Sequence, residues 1–216
     1  MEGIERRAEA LLASLPEWLW DGESLPVPVE AIADSHFGLL VRDVDEMTAA
    51  PGCPEIEPGQ SLSGLLLVDR GEIWVNAAEA REWPPRRRFT IGHELGHWLI
   101  HRESHRSLFC RSSRVDPEAA AGAAGAAGEP GVPGAGGEVG VPGARGASGR
   151  ADRPAGGGID IEEEASVFAA ALLMPARLVR REYECDRSFE RLCARFGASG
   201  TAMGRRLHAV IPGAGS

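Results

Sequence analysis

The chain has 216 residues, 43% of them hydrophobic, enough for one well-buried core with an appendage and tight for two full domains. Its formal net charge is -9 and all 23 basic residues are arginine, a balance that makes phosphate backbones and anionic membrane surfaces poor partners. No stretch approaches the roughly 18 unbroken apolar residues of a membrane span, and Cys53, Cys110, Cys185 and Cys193 form no Cys-x-x-Cys pair, so the expectation is a soluble, cytoplasmic chain with reduced thiols.

From the start, EGIERRAEALLASL places Ile4, Ala8, Leu11, Leu12 and Leu15 at helical spacing. PVEAIADSHFG predicts a short helix with proline near its start and Gly38 past its end, and LLVRDV predicts a strand. After a proline- and glycine-rich connection through Gly59, SGLLLVDRGEIWVN sets two apolar runs around DRGE, which predicts a hairpin at a sheet edge. From Arg86 to His101 the period becomes helical. Ile91, Leu95, Trp98 and Leu99 gather on one side, while His93 and His97 gather opposite, so the pair is expected to face a cleft.

Between about 119 and 158 the composition collapses. Glycine recurs at every third position from Gly122 to Gly149, formally a collagen repeat. Only Pro130, Pro133 and Pro142 occupy the variable positions, and a triple helix would need three chains to meet through an internal loop. The segment has too little apolar surface to offset its ordering entropy, so a disordered insertion is expected. It divides a single domain into an N-terminal part, 1–118, and a C-terminal part, 159–212. In the latter, DIEEEASVFAAALLMPARLVRREYE aligns Ile161, Ala165, Phe168 and Leu172 on one helical side, with a break or new start at Pro175. RSFERLCARFG and SGTAMGRRLHAVI predict two further short helices.

The stretch RFTIGHELGHWLIH carries the chemistry. Two imidazoles at i and i+4 share a helical face and can reach one ion, and zinc favours four tetrahedral N, O or S ligands, with one position left for water in a hydrolytic site. Glu94, about 100° around the helix from His93, flanks the ligands and is placed as a general base toward water. Gly92 and Gly96 line the other flank, where a substrate or a neighbouring strand can come close. A third ligand must come from elsewhere. His101 lies two turns from His93, a rise of about 12 Å, too far for one ion to take all three. The residues after His97 lack the glycine and histidine offsets of a metzincin. Cys110 stays open but has no site-like surroundings. Of the acids Asp160, Glu162, Glu163 and Glu164, Glu162 and Glu164 each border the apolar stripe while Glu163 points outward. Periodicity does not choose between those two, and a charged first turn complementing the helix dipole explains both equally well.

Taken together, VPVEAIADSHFGLLVRDV, LSGLLLVDRGEIWVN, RRRFTIGHELGHWLIH, EEEASVFAAALLMP and LCARFGASGTAMGRRL resemble the ImmA/IrrE family of metallo-endopeptidases over most of the chain outside the first two dozen residues and 102–158. The combination of the HELGH and FAAALLMP stretches is more specific than either half. The resemblance implies Zn2+ held by His93, His97 and Glu162, with Glu94 catalytic. It also implies a zincin-like α+β domain, a small antiparallel sheet packed on the HExxH helix and further C-terminal helices. Its implied substrate is a helix-turn-helix repressor, with no direct nucleic-acid contact and no membrane. Ser166 stands where the family commonly has asparagine, and the insertion separates His97 from Glu162 by 65 positions (162 minus 97), a loop whose closure entropy grows only logarithmically. The oxyanion donor is left open among Tyr183, His101, His105 and His208. Two other readings compete: a non-catalytic repressor-binding or antitoxin-like module on the same scaffold, and DNA binding through Arg86, Arg87 and Arg88 or through Arg205 and Arg206.

Overall fold

The computed structural model describes residues 2–50, 53, 60–102, 109–114 and 161–211; the expected insertion at 119–158, with its glycine repeat, and the candidates His105 and Asp160 lie outside them. The described residues fall in one unit made of Met1–Arg114 and Ile159–Ser216. It combines helices with a small sheet, an α+β arrangement. Among the described residues no helix is long and apolar enough to cross a membrane.

Helix α1 (Glu2–Ser14) buries Ala8, Leu11 and Leu12 as its spacing predicts. The next predicted helix is only Val29–Ala31 (α2) and continues as a π-turn, Ile32–His36, before Gly38 reverses the chain at φ 68. Strands follow: β1 (Leu40–Val44), β2 (Gln60–Leu67) and β3 (Glu72–Asn76), with the β2–β3 hairpin turning through a 3-10 segment, Val68–Arg70, and Gly71 at φ 62. Asn76 caps α3 (Ala77–Glu82), its side chain accepting from the backbone N–H groups of Ala78 and Glu79. Helix α4 (Pro84–Ile100) opens with proline in its first turn, where an N–H has no helical partner to lose. Strand β4 (Phe109–Arg114) precedes α5 (Ile161–Leu173), α6 (Ala176–Cys185), α7 (Phe189–Phe196) and α8 (Gly200–Val210). Ser188 and Ser199 cap the last two helices, and Gly197 ends α7 at φ 58.

The sheet corrects two expectations. Its order is β1-β3-β2-β4, so the predicted hairpin occupies the middle of the sheet and not an edge. β1 runs parallel to β3 while β2 is antiparallel to both β3 and β4, making the sheet mixed and not antiparallel. Both follow from what covers the strands. Leu66, Ile73 and Val75 join the main core with α4 and α5, while Leu65, Leu67 and Trp74 join Met47 and Ala50 in a second cluster on the opposite face. Strands buried on both faces belong in the interior of a sheet. Leu62 sides with Leu65 because the pairing with β4 skips a residue between Leu62 and Gly64.

Candidate metal centre

Helix α4 crosses the interior of the fold. Every residue from Thr90 to His97 is buried, so the helix has no open polar face, and His93 and His97 are 1% and 0% exposed instead of lining an open cleft. Three neighbours make this tolerable. Ile91 and Leu95 enter the main core; α5 takes the glycine flank; β2 takes the Glu94 flank.

On the glycine flank, a Cβ added to Gly96 would lie 3.1 Å from the Ala165 Cα and 3.2 Å from its carbonyl oxygen, and one added to Gly92 would lie 3.4 Å from the Ala169 Cβ. The element admitted by these glycines is therefore helix α5, not a strand or a substrate. The two helices run in opposite senses, Gly92 against Ala169 and Gly96 against Ala165. Glu162 sits about one turn before Ala165, so this close approach carries its carboxylate over the histidine pair. On the other flank, a Cβ on Gly64 would come 2.4 Å from Thr90 Cγ2 and 2.7 Å from Glu94 Oε1. The bare glycine makes room for the Glu94 carboxylate, which is 0% exposed.

His93, His97 and Glu162 each present one ligand atom, all within 4.8 Å of one another. His93 Nε2 lies 3.0 Å from His97 Nε2 and 3.1 Å from Glu162 Oε2, and His97 Nε2 lies 3.2 Å from Glu162 Oε1. A tetrahedral ion with bonds near 2.0–2.1 Å sets its donors about 3.3 Å apart. The two imidazole nitrogens, each facing a different Glu162 oxygen, stand near that spacing, and the imidazole–imidazole–carboxylate chemistry suits a divalent cation. Burial of the Glu162 carboxyl works against its ionisation, but when His93 and His97 are protonated their hydrogen bonds and charge outweigh burial and bring its pKa down to about 2. Glu162 is also the member that reaches solvent, at 43% exposed against 1% for each imidazole.

The far side of each ring is also held. Ser166 Oγ lies 3.2 Å from His93 Nδ1, so the serine that replaces the expected asparagine still contacts the ring. His97 Nδ1 lies 3.1 Å from His101 Nδ1, and His101 Nε2 lies 3.0 Å from Glu164 Oε2. This separates the two acids that periodicity left tied: Glu162 meets the histidine pair, while Glu164 reaches His101.

Scanned against protein-family models and curated proteins, the chain matches none. Of the oxyanion candidates, His101 is engaged with His97 and Glu164, Tyr183 carries the Arg187 guanidinium 5.5 Å from its ring centroid, and His208 is exposed on α8. The arginine run is occupied by the fold itself. Arg86 pairs with Glu79 at 2.7 Å, Arg87 holds both Glu30 and Asp43, and Arg88 donates to the Val27 carbonyl. Arg206, 4% exposed, donates to the Met174 carbonyl and pairs with Glu5. None of these is presented as a phosphate-binding row.

Proposed function

We propose that this chain is a zinc-dependent metallo-endopeptidase of zincin-like fold, similar to the ImmA/IrrE family, acting on a helix-turn-helix repressor in the cytoplasm without contacting nucleic acid itself. The observation that carries the reading is the meeting of Glu162 with His93 and with His97, 65 positions earlier (162 minus 97), next to Glu94. Two imidazoles and one carboxylate leave a fourth tetrahedral position, the pattern of hydrolytic rather than structural zinc sites. Zinc held there would supply Lewis acidity toward a peptide carbonyl and toward water. Glu94 takes the proton from the attacking water and passes it to the leaving amine. Its burial against Gly64 keeps the carboxylate in one place and away from bulk water. The repressor substrate rests on the family resemblance alone.

Incubating a helix-turn-helix repressor encoded beside this chain's gene with the zinc-loaded wild type and with Glu94→Gln tests the proposal. Cleavage by the wild type, reduced at least about 100-fold in the variant, is expected. Undiminished cleavage by Glu94→Gln contradicts the assignment. A second reading, a binding module without turnover, has the complete burial of Glu94 in its favour. Stable complex formation with the repressor and no cleavage in the presence of zinc would establish it.

A further inference from the structure

Resting on the metal-site reading, the geometry points to His101 and Glu164 as positioning residues that fix the tautomer of His97, leaving its Nε2 lone pair directed at the site. The chain His97 Nδ1, His101 Nδ1, His101 Nε2, Glu164 Oε2 has links of 3.1 Å and 3.0 Å. A carboxylate only accepts hydrogen bonds, so His101 Nε2 carries a proton and donates it to Glu164. A neutral imidazole with hydrogen on Nε2 has its lone pair on Nδ1, so His101 Nδ1 accepts, and the donor facing it is the Nδ1–H of His97. A neutral His97 protonated at Nδ1 then has its lone pair at Nε2, the atom that faces His93 and Glu162. With His101 neutral, every link runs in one direction, set by the acid at the end.

His93 is held differently. Its Nδ1 partner is the Ser166 hydroxyl, which can either donate or accept and so orients the ring without dictating its tautomer. The relay is built into the interior: His101 is 5% exposed, and Glu164 reaches it from the first turn of α5, the same turn that supplies Glu162. One helical turn therefore delivers a candidate ligand and the acid that prepares another. Groups of this kind raise the basicity of a ligating imidazole and commonly change metal affinity 10–100-fold.

The test compares wild type with His101→Leu, His101→Asn and Glu164→Gln. Zn2+ affinity is measured by chelator competition, and histidine 15N spectra of the metal-free proteins report which ring nitrogen of His97 is protonated. Expected are an Nδ1-protonated His97 in the wild type, a mixed population in His101→Leu, and affinity weakened about 10–100-fold there. His101→Asn should recover much of that loss, because its amide oxygen can stand where His101 Nδ1 accepts. Glu164→Gln should lie between wild type and His101→Leu. Thermal unfolding of each metal-free variant separates loss of the relay from loss of the fold. A wild-type His97 protonated at Nε2, or Zn2+ affinity unchanged in a folded His101→Leu, overturns the relay alone. A wild type that takes up no Zn2+ overturns the metal reading, and the relay's role with it.

Discussion

Gly92 and Gly96 lie one turn apart on α4 and face the same helix, yet alanine at each should have opposite effects. In a helix alanine is favoured over glycine by about 0.8–1.0 kcal/mol. At Gly92 the new methyl would meet the Ala169 Cβ at 3.4 Å and its Cα at 3.6 Å, ordinary contacts, so most of that gain should be realised. At Gly96 it would meet the Ala165 Cα at 3.1 Å, the Ala165 carbonyl oxygen at 3.2 Å and Phe168 Cδ1 at 3.3 Å. Two of these are backbone atoms that no rotamer change can move, so α5 must back away by a few tenths of an ångström. Overpacking of this kind costs about 1–3 kcal/mol, leaving Gly96→Ala less stable by about 0–2 kcal/mol after the propensity gain. A metal site tolerates only about 0.2 Å in its ligand distances, and α5 carries Glu162, so zinc affinity should fall as well. Urea unfolding of the metal-free proteins and chelator competition read the two effects separately. Equal stability and equal zinc affinity for Gly92→Ala and Gly96→Ala would refute the claim that the close approach at Ala165 seats Glu162.

Gly64→Ala should impair peptide cleavage while sparing zinc binding, because its methyl would displace Thr90 and the Glu94 carboxylate and not the three ligands; zinc content and repressor cleavage measured on one preparation check this. The hydrogen bond from Arg87 holds the Glu30 pKa below its ordinary value of 4.5, against a smaller opposing push from burial. A carboxyl with a depressed folded pKa stabilises above its unfolded pKa and loses that contribution as pH falls through the folded value. Glu30→Gln should therefore lower the urea midpoint at pH 7 by an amount worth less than about 1 kcal/mol, since half-exposed pairs are screened, and the difference should shrink as the pH falls below 4.5 and through the depressed folded pKa. A difference that grows on acidification would contradict the pairing.

The local chemistry of the site was legible because it is periodic. Histidines at 93 and 97 share a face, Glu94 does not, and Glu163 points outward; the structure keeps that ordering, with Glu163 exposed. What periodicity could not supply was distance between helices. Glu162 and Glu164 both flank the apolar stripe, and they part company only because α5 packs against Gly96 at Ala165, a property of two segments together. The spacing of four between His97 and His101 is itself a signal for a side-chain contact on the same face, which the structure shows at 3.1 Å. The sheet order is hidden from the sequence for a similar reason. Hairpin β2–β3 is a local feature, but its central place and the parallel pairing of β1 with β3 depend on contacts between segments far apart along the chain. The cap at Asn76, followed by a run of good helix formers, was a readable start for α3 that the strand reading of the preceding residues concealed.

The most direct test of the central claim is the zinc content of the protein after exhaustive dialysis, compared among wild type, Glu162→Ala and Glu163→Ala. About one Zn2+ per chain is expected in the wild type and in Glu163→Ala, with near-complete loss in Glu162→Ala. Full retention of zinc by Glu162→Ala would contradict it.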